Sequence, residues 1–288
     1  MDILVLGGTR FFGKHLVEAL IEKGHQVTIA TRGLAKDPFG ERVNRMIIER
    51  TNPENLKQSF LGAHYDVIYD SLAYCSQDVK YILDVVNCDK YIMTSSTAVY
   101  NKHIDTKENE FDPLQKELVW CTRNDFLYDE CKRQAECALR QKYPQVSAVA
   151  VRLPFVIGKD DYTQRLSFYI EHMMKEIPMC IDNIDNQMSF VRSDEAGTFL
   201  AFLADEAYCG AINGSSEQTI SIKEISDYVK VKTGKSIILT STGDKAPYNS
   251  ENEYSINIDQ AKSLGFMFTP LKEWIFDLVD YYIQQFIK

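Results

Sequence analysis

The sequence predicts an α/β fold in which a doubly wound parallel sheet carries a smaller C-terminal lobe, and three observations lead there. Short runs rich in Val, Ile and Tyr alternate with helical patterns through the first half of the 288-residue chain. A glycine-rich turn, Gly7-Gly8-Thr9-Arg10-Phe11-Phe12-Gly13, joins the first run to the first helical pattern. After residue 158 the alternation loosens into shorter elements separated by Gly-, Ser- and Asn-rich stretches.

Ile3–Leu6, Gln26–Thr31, Asn44–Ile48, Tyr65–Asp70, Lys90–Ser95 and Val146–Arg152 read as strands, each short and rich in β-formers. Phe12–Lys23 places Leu16, Ala19, Leu20 and Lys23 at helical spacing, and Gly24 stops it. Further helices fit Pro53–Leu61, Gln77–Val86 and Asn124–Tyr143, the last ended by Pro144. Such alternation implies a parallel sheet covered by helices on both faces. Ligands then sit at the carboxyl ends of the strands, near the point where strand order reverses. Residues 1–158 form the sheet-bearing domain on this reading. Residues 159–288 form a smaller lobe over its ligand edge, partly interleaved with the sheet and closed by an amphipathic helix, Leu271–Phe286.

Composition narrows the class. No run approaches the ~18 consecutive apolar residues that span a bilayer. Met1 runs directly into an apolar strand without a basic leader, so the expectation is a cytoplasmic protein with no membrane partner. The cysteines (Cys75, Cys88, Cys121, Cys131, Cys137, Cys180 and Cys209) are odd in number and unpatterned, which fits free thiols and no metal site. A formal charge of −9 argues against a broad nucleic-acid surface.

The glycine loop lies after a strand and before a helix, the context a dinucleotide pyrophosphate requires. Glycine permits the tight turn, bare N–H groups face the phosphates, and the helix dipole favours their charge. This is the Rossmann arrangement, with Gly7, Gly8, Thr9, Arg10, Phe11, Phe12 and Gly13 as cofactor-binding residues. Arg10 stands where a middle glycine would, and is expected to swing outward onto a cofactor phosphate. The second strand ends in Thr31-Arg32 rather than in an acid. A hydroxyl and a guanidinium suit a 2′-phosphate, which favours NADP(H), with NAD(H) as the alternative.

Tyr128 and Lys132 are four apart, hence on one face of a helix. An ammonium beside a phenol is expected to lower its pKa and let it exchange a hydroxyl proton while hydride moves. A second such pair, Tyr228 and Lys232, lies far from the strand-end edge and is set aside. The strand Lys90–Ser95 delivers Ser96 to a carboxyl end, where its hydroxyl can align the reacting oxygen.

Together, Gly7–Gly13, Ser95-Ser96-Thr97-Ala98-Val99-Tyr100, Tyr128–Lys132 and Arg152-Leu153-Pro154-Phe155-Val156-Ile157-Gly158 stand in the order and spacing of the short-chain dehydrogenase/reductase superfamily. The chain resembles its extended and atypical branch, the NAD-dependent epimerase/dehydratases, over essentially its whole length. Within that branch it is similar to an atypical Gly-Gly-x-x-x-x-Gly subgroup that keeps the Ser–Tyr–Lys triad. The resemblance implies that Ser96, Tyr128 and Lys132 are catalytic and that Lys132 also holds the nicotinamide ribose. It implies that Ser71, Leu72 and Ala73 flank the cofactor, and that a homodimer would form through the helix carrying Tyr128. An NAD(P)-dependent oxidoreductase or epimerase acting on a small carbonyl or hydroxyl substrate follows, sugars included. The alternatives are a catalytically silent NADP-binding regulatory protein and an RNA-binding relative. Thr97-Ala98 lacks the acidic pair of the dehydratases. Phe155, Met188 and Arg192 stand where nucleotide-sugar epimerases carry an Asn, an Arg and a His, which counts against a nucleotide sugar.

Overall fold

Strand β1 (Asp2–Leu6) is buried along Ile3–Leu6, as a strand with neighbours on both sides and helices on both faces must be. The computed structural model describes residues 1–287. Next come α1 (Phe12–Glu22), β2 (Gln26–Thr31), β3 (Asn44–Ile47), α2 (Pro53–Ser59), β4 (His64–Asp70), α3 (Ser76–Leu83) and β5 (Asn87–Ser96). Then follow α4 (Tyr128–Lys142), β6 (Ser147–Leu153) and β7 (Phe155–Ile157). Each predicted strand and helix of the first half is present, with ends moved by a few residues. The largest shift is in α4, which starts four residues late. Thr122 and Asp125 close a local turn there, with the Asp125 carboxylate accepting from both the N–H and the hydroxyl of Thr122, and that turn competes with helix.

The remaining elements are α5 (Arg165–Lys175), β8 (Met179–Cys180), β9 (Phe190–Arg192), α6 (Ser193–Phe202), β10 (Gly210–Asn213), α7 (Ile222–Thr233), β11 (Asp244–Lys245), α8 (Asp259–Ser263) and α9 (Leu271–Phe286). Seven strands form one parallel sheet in the order β10-β6-β5-β4-β1-β2-β3. The order reverses between β1 and β4, so the loops after Leu6 and Asp70 meet at the switch point.

Alternation along each strand assigns the faces. Ile3, Val5, Val67 and Tyr69 enter one hydrophobic cluster with α1 and α6, while Leu4, Leu6, Ile68 and Met93 enter the other with α2, α3 and α4. Two segments beyond residue 158 therefore lie with the sheet: β10 extends it beside β6, and α6 covers a face against α1. That crossing is close because Gly197 has no side chain; a Cβ there would come within 2.5 Å of the His15 Cβ. Helices α5, α7 and α9 build the lobe, whose aromatic residues continue the α1–α6 cluster. Among the described residues, no helix is long and apolar enough to cross a membrane.

Candidate active site

Two clefts open at the carboxyl ends of the strands, and they share a wall. The first, about 580 Å³, is lined by the whole glycine loop from Gly7 to Gly13, by Thr31 and Arg32, and by Ser71 and Leu72. The second, about 290 Å³, holds Ser96, Tyr128 and Lys132. Phe11, Phe12, Ser71, Tyr74 and Tyr162 line both.

The glycine loop is shaped by contacts that only glycine allows. Gly8 has φ +86°, and a Cβ there would meet Val17 Cγ2 at 2.9 Å and Val5 Cγ1 at 3.0 Å. The backbone is thereby pressed onto the strand–helix packing, with the Gly7 N–H donating to the Ala30 carbonyl and the Gly13 N–H to the Arg10 carbonyl. Arg10 and Arg32 are exposed and line this cleft, and their side chains make no hydrogen bond or ion pair among the described residues. Thr31 is partly occupied: its hydroxyl accepts from the Gly33 N–H at 3.1 Å. Ala73 is fully buried and lines neither cleft; its carbonyl instead accepts from Lys132.

In the second cleft the three candidate groups come from β5 and the first turns of α4. The pair Ser95-Ser96 splits by strand parity. Ser95 turns inward and donates to Glu136, itself paired with buried Arg152, whereas Ser96 faces the cleft and accepts from the Ala98 N–H at 3.2 Å. Tyr128 does not join the buried stripe of Cys131, Ala135, Ala138 and Leu139; the residue as a whole is 50% exposed and lines the cleft. Lys132 is buried, donating to the carbonyls of Ala73 and Thr94 at 2.8 Å each. One of its three N–H bonds is left for the cleft. Its ammonium lies 4.6 Å from the centre of the Tyr74 ring and 5.9 Å from that of Tyr128.

This arrangement corrects one expectation from sequence. Burial around the Tyr128 hydroxyl raises its pKa above the ordinary phenol value, and Ser96 and Arg165 only partly offset that. The ammonium is held by two carbonyls and lies 5.9 Å from the centre of the phenol ring. The phenol is thus protonated near neutral pH and set to donate. Lys132 is driven the other way: burial lowers it to about 8, against the opposing pull of Asp70, Asp78 and Glu136.

The Lys132 shift makes a stability prediction. Between pH 8 and the ordinary 10.5, the unfolded chain binds the lysine proton and the folded chain does not, so this group makes stability rise with pH. Denaturant unfolding of the native protein and of Lys132→Met should diverge by about 3 kcal/mol across that window. Parallel pH profiles would refute the assignment.

Other residues at the site gave no spacing signal. Tyr74 stands between the clefts, its ring 6.2 Å from that of Tyr128. Beneath the loop after β4, Arg50 makes two 2.8 Å bonds to Asp70, and Arg123 donates to Asp78 and to the Leu72 carbonyl. Only the positions of Arg50, Asp70 and Tyr74 at or just past strand carboxyl ends could have suggested them; Arg123, in the loop before α4, carries no such signal. Met188 is fully buried, and Arg192 is turned to Asp194 at 2.5 Å, so neither lines a cleft, whereas Phe155 does. Tyr228 and Lys232, the pair set aside, both donate to Asp280 and pin α7 to α9.

Sheet order, switch-point clefts and lobe together define a Rossmann-type α/β fold. Residues 3–87 match the family model described as "NAD dependent epimerase/dehydratase family", the group that the sequence motifs resemble. The chain is 26% identical over 223 residues to the chloroplast stem-loop binding protein of 41 kDa b of Arabidopsis thaliana, covering 71% of this chain and 55% of that protein. It is 24% identical over 264 residues to UDP-glucuronic acid decarboxylase 1 of the same plant, covering 80% and 58%. The matches thus span little more than half the length of these relatives. The structure of a UDP-glucuronic acid 4-epimerase from Bacillus cereus, in complex with NAD, superposes over 100% of both chains with a TM-score of 0.72 at 17% identity.

Proposed function

We propose that this protein is an NAD(P)-dependent oxidoreductase or epimerase that works on a small carbonyl or hydroxyl substrate, with Tyr128, Ser96 and Lys132 as its catalytic residues. The observation that carries the reading is the shared wall: the cleft holding those three residues opens beside the one cradled by the glycine loop. A dinucleotide laid across both would place its nicotinamide near Tyr128; that the superposable Bacillus cereus epimerase is in complex with NAD supports a dinucleotide on this fold.

The residues present fit such a cofactor. The glycine cradle, closed to any Cβ at Gly8, would hold the pyrophosphate, with Gly7 and Thr9–Gly13 around it. Ser71 and Leu72 would flank the ring side, with Ala73 acting through Lys132. The bound nicotinamide supplies or accepts hydride. Tyr128 would give or take the proton on the substrate oxygen, Ser96 would align that oxygen, and the free N–H of Lys132 would hold the ribose. The expectation of a reducing, cytosolic setting rests on the seven free cysteines.

For the cofactor we favour NADP(H), on the guanidinium of Arg32, which makes no ion pair within 4 Å among the described residues although its charge is felt by Glu49 in the same wall. Arg32→Ala should weaken NADP(H) at least ~10-fold with NAD(H) within about twofold, as expected for loss of a charge-assisted phosphate contact. Equal losses for both would reject the preference. Arg10→Ala should weaken both, through the pyrophosphate.

The experiment that tests the reading is calorimetric titration with NADPH and NADH, followed by assays of hydride exchange with small carbonyls. Absence of binding to either dinucleotide would end it. The stem-loop binding relative supports a second reading, RNA binding by this face. The charge of −9 weighs against it, and a salt titration with a structured RNA tests it.

A further inference from the structure

The geometry points to a specificity device in the second cleft: Arg165 selects substrates that carry a carboxylate or phosphate group close to the reacting carbon. This rests on the catalytic reading above, and it names the substrate class for that site.

Four charged side chains line the second cleft: Lys102, Lys132, Arg165 and Glu251. Lys102 is ion-paired with Glu251 and lies over the Tyr254 ring at 4.3 Å, so those two charges cancel. Lys132 is buried and spends two of its donors on backbone carbonyls. Arg165 differs from all three. It is exposed at the cleft, with its guanidinium 5.6 Å from the centre of the Phe155 ring, and it makes no hydrogen bond or ion pair among the described residues. The nearest acid in sequence, Asp161, is buried and makes no ion pair with it: its Oδ1 accepts from the N–H and hydroxyl of Thr163 at 2.8 and 2.6 Å, its Oδ2 has no hydrogen-bond partner among the described residues, and burial raises its carboxyl above the ordinary value against the weaker pull of Arg165.

A guanidinium resting against an aromatic face keeps its fork of donors presented to a planar or tetrahedral oxyanion. Here the fork opens into the cavity that holds the phenol, close enough for its charge to act on Tyr128. With the one acid in the wall, Glu251, already paired to Lys102, the complement must come with the ligand. Size adds a second restriction. A cavity of about 290 Å³ lies at the small end of ligand pockets, which suits a short hydroxy acid or a small sugar phosphate.

The test uses the full-length protein with NADP⁺ present and matched probes: pyruvate against pyruvamide, and dihydroxyacetone phosphate against dihydroxyacetone. Calorimetry should show the charged member of at least one pair binding 10- to 100-fold tighter than its neutral partner, the range for a charge-assisted contact. The two pairs separate carboxylate from phosphate. Arg165→Gln should erase the difference, Arg165→Lys should keep much of it, and NADP⁺ affinity should not change in either variant. Equal binding within both pairs, discrimination that survives Arg165→Gln, or no binding of either anion overturns the inference. Hydride exchange from NADPH, followed by nicotinamide absorbance, judges the underlying reading separately. Arg165-dependent anion binding without hydride exchange keeps this inference and defeats the redox role. Hydride exchange as fast on the neutral probes as on the charged ones does the reverse.

Discussion

Tyr128→Phe is expected to reduce turnover about 10³-fold while leaving dinucleotide affinity within about twofold. Loss of a positioned proton donor removes 10²- to 10⁴-fold in rate. The residue is half exposed at the cleft and carries no part of the core, so deleting its hydroxyl should leave the fold intact. The hydroxyl is the atom at stake: burial keeps it protonated near neutral pH, which suits donation to a carbonyl oxygen as hydride arrives. Steady-state kinetics with a turned-over carbonyl, beside calorimetric cofactor titration, separate the two effects. Retained turnover would remove Tyr128 from the chemistry.

Arg50→Met is expected to be the most destabilising single change near the site, by about 3–5 kcal/mol, the usual cost of breaking a buried ion pair from one side. Asp70 is fully buried, and Arg50 is nearly so. Burial alone pushes the Asp70 carboxyl up. The Arg50 guanidinium, the Tyr91 hydroxyl and the Leu72 N–H outweigh it and hold the carboxyl below its ordinary value. Without the guanidinium, a carboxylate would sit in the core beneath the switch point with only neutral donors around it. The same carboxylate anchors the Leu72 N–H at 2.9 Å, so the cofactor cleft should loosen as well. Thermal unfolding should drop by about 10 °C on this estimate. The Asp70 contribution is present above pH ~4 and is lost as pH falls through the depressed folded value, because protonation then cancels the pair. A loss under 1 kcal/mol at pH 7 would show that this pair does not hold the loop.

The legible part of the site was whatever local rules govern. The glycine loop was readable because strand, turn and helix are contiguous, and Gly8 must stay a glycine for reasons within ten residues of itself. Ser96 was readable as the residue at the end of a recognisable strand. Tyr128 with Lys132 was readable as a helical spacing, but spacing alone does not select: Tyr228 with Lys232 has the same one and serves as a clamp on Asp280. The direction of the Tyr128 shift was not readable at all, since it depends on what surrounds the hydroxyl and on the two carbonyls that hold Lys132.

Periodicity and turn chemistry, acting over a few residues, were enough to set the strands, the helices and the nucleotide-loop geometry of this chain. Sequence alone thus determined an open parallel sheet with a phosphate cradle after its first strand. Tertiary structure decided which side chains from distant segments share a cavity: Tyr74 between the clefts, Arg50 under Asp70, and Arg165 across from the phenol. It also returned α6 and β10 to the sheet from beyond residue 158. The reason is physical: backbone preference is local, whereas desolvation and charge pairing depend on neighbours that only the folded chain supplies.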